Sequence, residues 1–140
     1  FADQYLTERD VPLLIYQDRL NLLDREPQEN GVTQYCADHG IGFISFSPLA
    51  QGLLTDRYLN GIPADSRMAK EQYLKHSALT PELLERLKTW NAEAAERGET
   101  LAEMALAWIL QQKGVTSVLV GASSVAQVEK NMKCVHAADF

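Results

Sequence analysis

Three stretches of this sequence place polar side chains where a nucleotide could use them. Ser123, Gln127 and Asn131 recur every four residues, so on a helix they share one face. Gly121-Ala122-Ser123-Ser124 leads into that face directly after an apolar run. A helix start offers backbone N–H groups and partial positive charge, which suit a phosphate. Gly121 would let the backbone approach, and the Ser123 hydroxyl could donate to an anion. Gln127 and Asn131 could bond to a purine further along. A capping serine followed by two solvated amides meets the same spacing, and spacing alone leans to that plainer reading. In the second stretch, Phe46-Ser47-Pro48-Leu49-Ala50-Gln51-Gly52, an aromatic ring at a strand end can stack on a flat heterocycle. The turn after it can offer N–H groups to a pyrophosphate. Arg57 and Arg67 follow in a polar loop, where arginines are most often solvated surface. The third is Gln17, whose amide could meet a carboxamide as donor and acceptor together, although a glutamine closing a strand is otherwise ordinary.

Alternating strands and helices must position these residues. Residues 11–17 (VPLLIYQ) form an apolar run without polar alternation, as in a parallel strand covered on both faces. Residues 28–39 read as a helix ended by Gly40, and 41–46 (IGFISF) as a second strand closed by Pro48. The stretch 51–80 is irregular and polar. Thr80-Pro81 opens a helix with a buried stripe of Leu83, Leu84, Leu87, Trp90 and Ala94, stopped by Gly98. Thr100 and Glu103 make a capping box for a helix over 101–113 that is apolar on nearly every side and should be buried. A third strand over 115–120 (VTSVLV) precedes a last helix, capped by Ser123 or Ser124 and running to about residue 136. Residues 1–9 read as the final turns of a helix with no N-cap before it, so further chain is expected upstream. Three parallel strands would leave two raw edges, so they are expected to be units of a larger sheet or barrel.

Composition bounds the function. The 140 residues are 46% hydrophobic and 23% charged, an ordinary globular balance. A formal charge of −6 argues against nucleic acid or an anionic membrane as the main partner. No apolar run approaches the ~18 residues of a membrane span. Cys36 and Cys134 lack metal-ligand or CxxC spacing and are expected as buried, reduced thiols of a cytoplasmic protein.

The runs FISFSPLAQGLLTDRYLNGIPADSR and TLAEMALAWILQQKGVTSVLVGASSVAQVEKN, in this order, resemble aldo-keto reductases. The nearest likeness is to the branch with the potassium-channel β-subunits and bacterial glyceraldehyde-phosphate-type reductases, and it extends from Val11 onward. The resemblance implies an α/β fold: the C-terminal portion of a (β/α)8 barrel, with three parallel β/α units plus an extra buried helix, in one partial domain. It implies NADP(H) as cofactor. Gln17 matches the residue holding the nicotinamide carboxamide, and Phe46 the aromatic stacked on that ring. Ser47, Pro48, Leu49 and Gly52 match the loop around the pyrophosphate, with Arg57 where a lysine is common and Gly121 in the final turn. Arg67 and Ser123 match the pair that takes the 2′-phosphate, and Gln127 and Asn131 the adenine contacts. Asp65 and Lys130 depart from the channel-subunit pattern, which carries a tyrosine and a glutamate there.

The family's general acid is a tyrosine, assisted by an aspartate, a lysine and a histidine, and none of those motifs occurs in this sequence. The implied whole is an oxidoreductase that reduces small aldehydes or ketones, its catalytic set lying in the N-terminal half of the barrel. A regulatory β-subunit-like protein that senses NADP(H), or an inactive truncation, remain the alternatives. A small carbonyl substrate, the other half of the barrel and, by analogy with the channel-subunit branch, further copies of the chain are the expected partners.

Overall fold

Pro12 has no N–H to give a ladder, and pairing begins only beyond it. The computed structural model, which describes residues 1–66, 68–70 and 74–137, places β1 at Ile15–Arg19, β2 at Gly42–Phe46 and β3 at Val115–Val118. They form one parallel sheet in the order β1-β2-β3, as the alternating pattern requires. The first strand therefore starts and ends later than its apolar run suggested, and Gln17 lies inside it rather than at its end. The third strand stops at Val118, although Leu119 N–H still donates to the Ser45 carbonyl at 2.8 Å.

Short helix α1, Ala2–Thr7, buries no residue. The helix expected over 28–39 is two, α2 (Glu26–Glu29) and α3 (Val32–Asp38), broken at Gly31, whose φ of 82° is the left-handed conformation glycine adopts most readily. After β2 the chain makes short 3₁₀ turns and then α4, Pro81–Glu96. Thr80 caps α4 by accepting from Leu83 N–H at 3.2 Å. The Thr100–Glu103 capping box forms in both directions, at 2.7 and 3.2 Å, and opens α5, Leu101–Leu110. Seven of the ten α5 residues are buried, as its all-round apolar character demands. The final helix α6 covers Val125–Met132 and tightens into a 3₁₀ turn, Lys133–His136.

Side chains alternate across a strand, so the register assigns each residue to a face. Phe43 and Ser45 point under the helices, fully buried with Cys36 of α3 and Ile109 of α5 close by. Gln17, Arg19, Ile44 and Phe46 fall on the opposite, open face. Within residues 1–140 β1 is mostly exposed, with Ile15 at 56%. A ladder shift between Phe43 and Ile44 skips Thr116, whose hydroxyl accepts from Phe43 N–H at 3.2 Å. A second core joins α4 to α5 through Leu87, Ala94, Leu101, Met104 and Ala105, and a third gathers Leu53, Tyr58, Met68 and Leu74 beneath the irregular loop. Cys36 is buried, whereas Cys134 is only half-buried; both are free thiols.

Candidate functional site

Parallel pairing brings the carboxyl ends of all three strands to one side, and the 46–52 and 121–131 stretches begin at the ends of β2 and β3. Phe46 ends β2 on the open face. Gln17 shares that face, paired with Ile44, so its amide stands diagonally across from the Phe46 ring. Phe46 is half-buried and Gln17 exposed, leaving an aromatic surface beside a donor–acceptor group. That combination fits a flat heterocycle carrying a carboxamide.

The turn after Phe46 is held in an unusual backbone shape. Ser47, Ala50 and Gln51 take φ of 53°, 46° and 59°, and Gly52 takes 100°. Three non-glycine residues in the left-handed region within one turn must be imposed by their surroundings, because each is intrinsically unfavourable. The amides of Ala50, Gly52, Leu53 and Leu54 bond to carbonyls within the turn at 2.8–3.2 Å, and so point inward rather than toward a ligand. Pro48 is buried, while Leu49 packs against the α4–α5 core.

Asn21, which sequence reasoning overlooked, ties the ends of β1 and β2 together. It is 1% exposed; its Nδ2 donates to the Ser47 carbonyl at 3.0 Å, and its Oδ1 accepts from Leu23 and Asp24 N–H at 2.9 and 3.0 Å. Nearby, the Ser45 hydroxyl donates to the Leu20 carbonyl at 2.8 Å. A lone amide in the apolar run LNLL was the signal available for Asn21. Arg19 was also missed. It pairs with Phe46 across the ladder, and its guanidinium carbon lies 5.6 Å from the ring centroid.

In the loop, Arg57 is ion-paired with Asp65 at 2.8 Å, so the departure at position 65 supplies a carboxylate to that arginine. Arg67 lies outside the described residues. At the final turn, Ser124 rather than Ser123 caps α6, accepting from Gln127 N–H at 3.3 Å. Ser123, just before the cap, meets Gln127 of the helix: the Gln127 Oε1 accepts from Ser123 N–H at 2.7 Å and from its hydroxyl at 3.0 Å. Asn131 is half-buried on the same helix, and a side chain added at Gly121 would meet only open space.

Tyr16 stands apart from the Gln17–Phe46 face. It lies on the helix-covered face beside Phe43, and its hydroxyl donates to Asp18 at 3.0 Å. That hydrogen bond, with burial and the Asp18 charge, pushes its pKa up. Among the described residues no group of His, Cys, Asp and Glu could hold a metal ion, and no helix is long and apolar enough to cross a membrane.

The profile described as "Aldo/keto reductase family" matches residues 2–139. The chain belongs to the aldo/keto reductase family. Among this family's curated members, L-glyceraldehyde 3-phosphate reductase of Escherichia coli O157:H7 is 45% identical over 142 aligned positions, covering 98% of this chain and 41% of that protein. A probable voltage-gated potassium channel subunit beta of Arabidopsis thaliana is 38% identical over 125, covering 87% of this chain and 38% of that protein. The chain thus spans about two-fifths of the length of these relatives. In a solved structure, a thermostable aldo-keto reductase in complex with the inhibitor epalrestat matches with a TM-score of 0.65 at 20% identity, over 98% of this chain and 39% of that one. The sheet and its helices are therefore part of an aldo/keto reductase barrel.

Proposed function

We propose that this chain holds the NADP(H) of an oxidoreductase that reduces small aldehydes or ketones, with the acid–base residues contributed by barrel strands outside residues 1–140. The observation that carries this reading is the Phe46 ring beside the Gln17 amide on the open face of an aldo/keto reductase sheet. When bound, NADPH supplies the hydride. The chain's own residues place it. Phe46 supports the nicotinamide ring and Gln17 fixes its carboxamide. The 47–52 turn follows the pyrophosphate, with Arg57 exchanging Asp65 for a phosphate oxygen. Arg67 and Ser123 take the 2′-phosphate, for which Ser123 must release Gln127, and Gln127 and Asn131 turn to the adenine. The remaining barrel strands, as a partner of this sheet, cover the open face, and further copies of the protein are the other partner of the whole. A reducing cytoplasm suits the two free thiols. Higher identity and coverage favour the reductase reading over a channel-subunit-like sensor.

Isothermal titration of the complete protein with NADPH and NADH tests the assignment. Charge-assisted contacts to a 2′-phosphate are worth roughly 1.5–3 kcal/mol, so Arg67→Ala should weaken NADPH by about ten- to a hundredfold and leave NADH nearly unchanged. Gln127→Ala should weaken both alike, since both carry adenine. Equal losses in the Arg67 variant would return that arginine to ordinary surface.

A further inference from the structure

Arg19 follows Gln17 by two residues on the same strand, so both side chains rise from the open face. It is the ladder partner of Phe46, and its guanidinium lies over that ring, 5.6 Å from the centroid. A delocalised cation at this distance is attracted by the ring's electron-rich face. Among the described residues its ionic partner is Asp24, at 3.7 Å, with the Arg19 side chain 54% exposed. That separation is well beyond the roughly 2.7–2.9 Å of a charge-assisted hydrogen bond, so Asp24 offsets the charge only in part. The other nearby carboxylate, Asp18, accepts from the Tyr16 hydroxyl at 3.0 Å and from Arg19 N–H at 2.8 Å. A positive charge therefore stands over the aromatic surface of the candidate site.

We infer that Arg19 sets the redox preference of the bound cofactor, favouring the reduced nicotinamide over the oxidised one. The inference rests on the reading that a nicotinamide stacks on Phe46. The two cofactor forms share their phosphates, riboses and adenine, so the attraction of Arg19 for the phosphates cancels when they are compared. They differ at the nicotinamide, which is neutral when reduced and carries one delocalised positive charge when oxidised. A ring stacked on Phe46 cannot avoid the neighbourhood of the Arg19 guanidinium. The oxidised ring is repelled there and the reduced ring is not. Hydride loss to a carbonyl creates that positive charge in place, so the same arginine speeds release of the oxidised product. Arg19 is a positioning residue in this account, since it acts on the charge of the ring and on no bond that is made or broken.

The test is direct binding of NADPH and of NADP⁺, measured separately by calorimetry on the complete protein, with the ratio of the two dissociation constants as the readout. Two unit charges a few ångströms apart near a wet surface change an equilibrium by about three- to tenfold. Arg19→Gln should reduce the preference for NADPH by about that factor. Arg19→Lys, which keeps the charge, should retain most of it. Asp24→Asn, which removes the partial counter-charge and keeps the side-chain shape, should raise it. A ratio unchanged in Arg19→Gln, with both cofactors still bound, overturns the inference and leaves the cofactor site standing. Wild-type protein that binds neither cofactor overturns the site and the inference together.

Discussion

The two cysteines differ in a way that chemistry can read. Cys36 is 3% exposed, and burial, with a smaller contribution from the Asp3 carboxylate, pushes its thiol pKa up. Cys134 is also pushed up by burial, although its surroundings leave it half-exposed. The thiolate is the reactive form, so both should label slowly at neutral pH and faster as the solution becomes alkaline. Aromatic disulfide reagents should nevertheless reach Cys134 first in the folded protein, with Cys36 reacting only when denaturant opens the α3–β2 core. Simultaneous labelling of both thiols without denaturant would show that this core opens far more readily than its packing implies. The same contrast explains why the expectation of two buried thiols was half right. Helical context was legible from sequence, but burial depends on what packs above the helix.

Among the elements, the connection between the ends of β1 and β2 concentrates the most stability in one side chain. Asn21→Ala removes the hydrogen bond to the Ser47 carbonyl and leaves Leu23 N–H without its acceptor, while Asp24 N–H keeps only its bond to the Asn21 backbone carbonyl. Unmet buried groups cost about 1–3 kcal/mol each, so an overall loss of about 2–4 kcal/mol is expected in denaturant unfolding. A loss below about 0.5 kcal/mol, the scale of an ordinary surface change, would show that the turn holds its left-handed shape without Asn21. Elements governed by neighbours in sequence were legible: the caps at Thr80 and Thr100, the apolar stripe of α4, in which Leu87 and Ala94 are buried and Leu83, Leu84 and Trp90 half-buried, and the burial of α5 each follow from a few adjacent residues. Boundaries set by single backbone features were harder. Pro12 delays β1 inside an apolar run that looks continuous, and Gly31 splits a helix whose flanks both favour helix. The candidate site divides the same way. Ser123 and Gln127 do meet, but not because one helix carries both: Ser123 precedes the Ser124 cap and reaches the Gln127 amide of the first turn from outside the helix. The approach of Arg19 to Phe46 depends on ladder register across 27 residues of chain, which no local pattern encodes.

At the scale of the molecule, the described sheet ends on both sides in unpaired strands. β1 and β3 each have one neighbour, and Leu14, Ile15 and Leu119 are 69%, 56% and 55% exposed. Open edges with apolar flanks are templates for further strands. Residues 1–140 expressed alone should therefore be poorly soluble or associate, visible as high-mass species in sedimentation. A monomer with one sharp, cooperative unfolding transition would show that three strands and their helices suffice. The aldo/keto reductase barrel supplies the alternative outcome, in which neighbouring strands occupy both edges and the open face becomes the interior of the site.

Strand order bears on synthesis as well. Each described strand pairs with the next one in the chain, but the intervals are unequal: β2 follows β1 closely, whereas β3 comes about seventy residues after β2. Ribosomes add roughly 5–20 residues per second, so one side of β2 waits on the order of 4–14 s for its partner. Through that interval the nascent chain carries Phe43 and Ile44 beside an unfilled edge, while α5, which covers Phe43, has yet to emerge. The long polar excursion between β2 and α4 thus acts as a pause in assembly, and the β1–β2 pair, fastened by Asn21 to the Ser47 turn, is the part that must survive it.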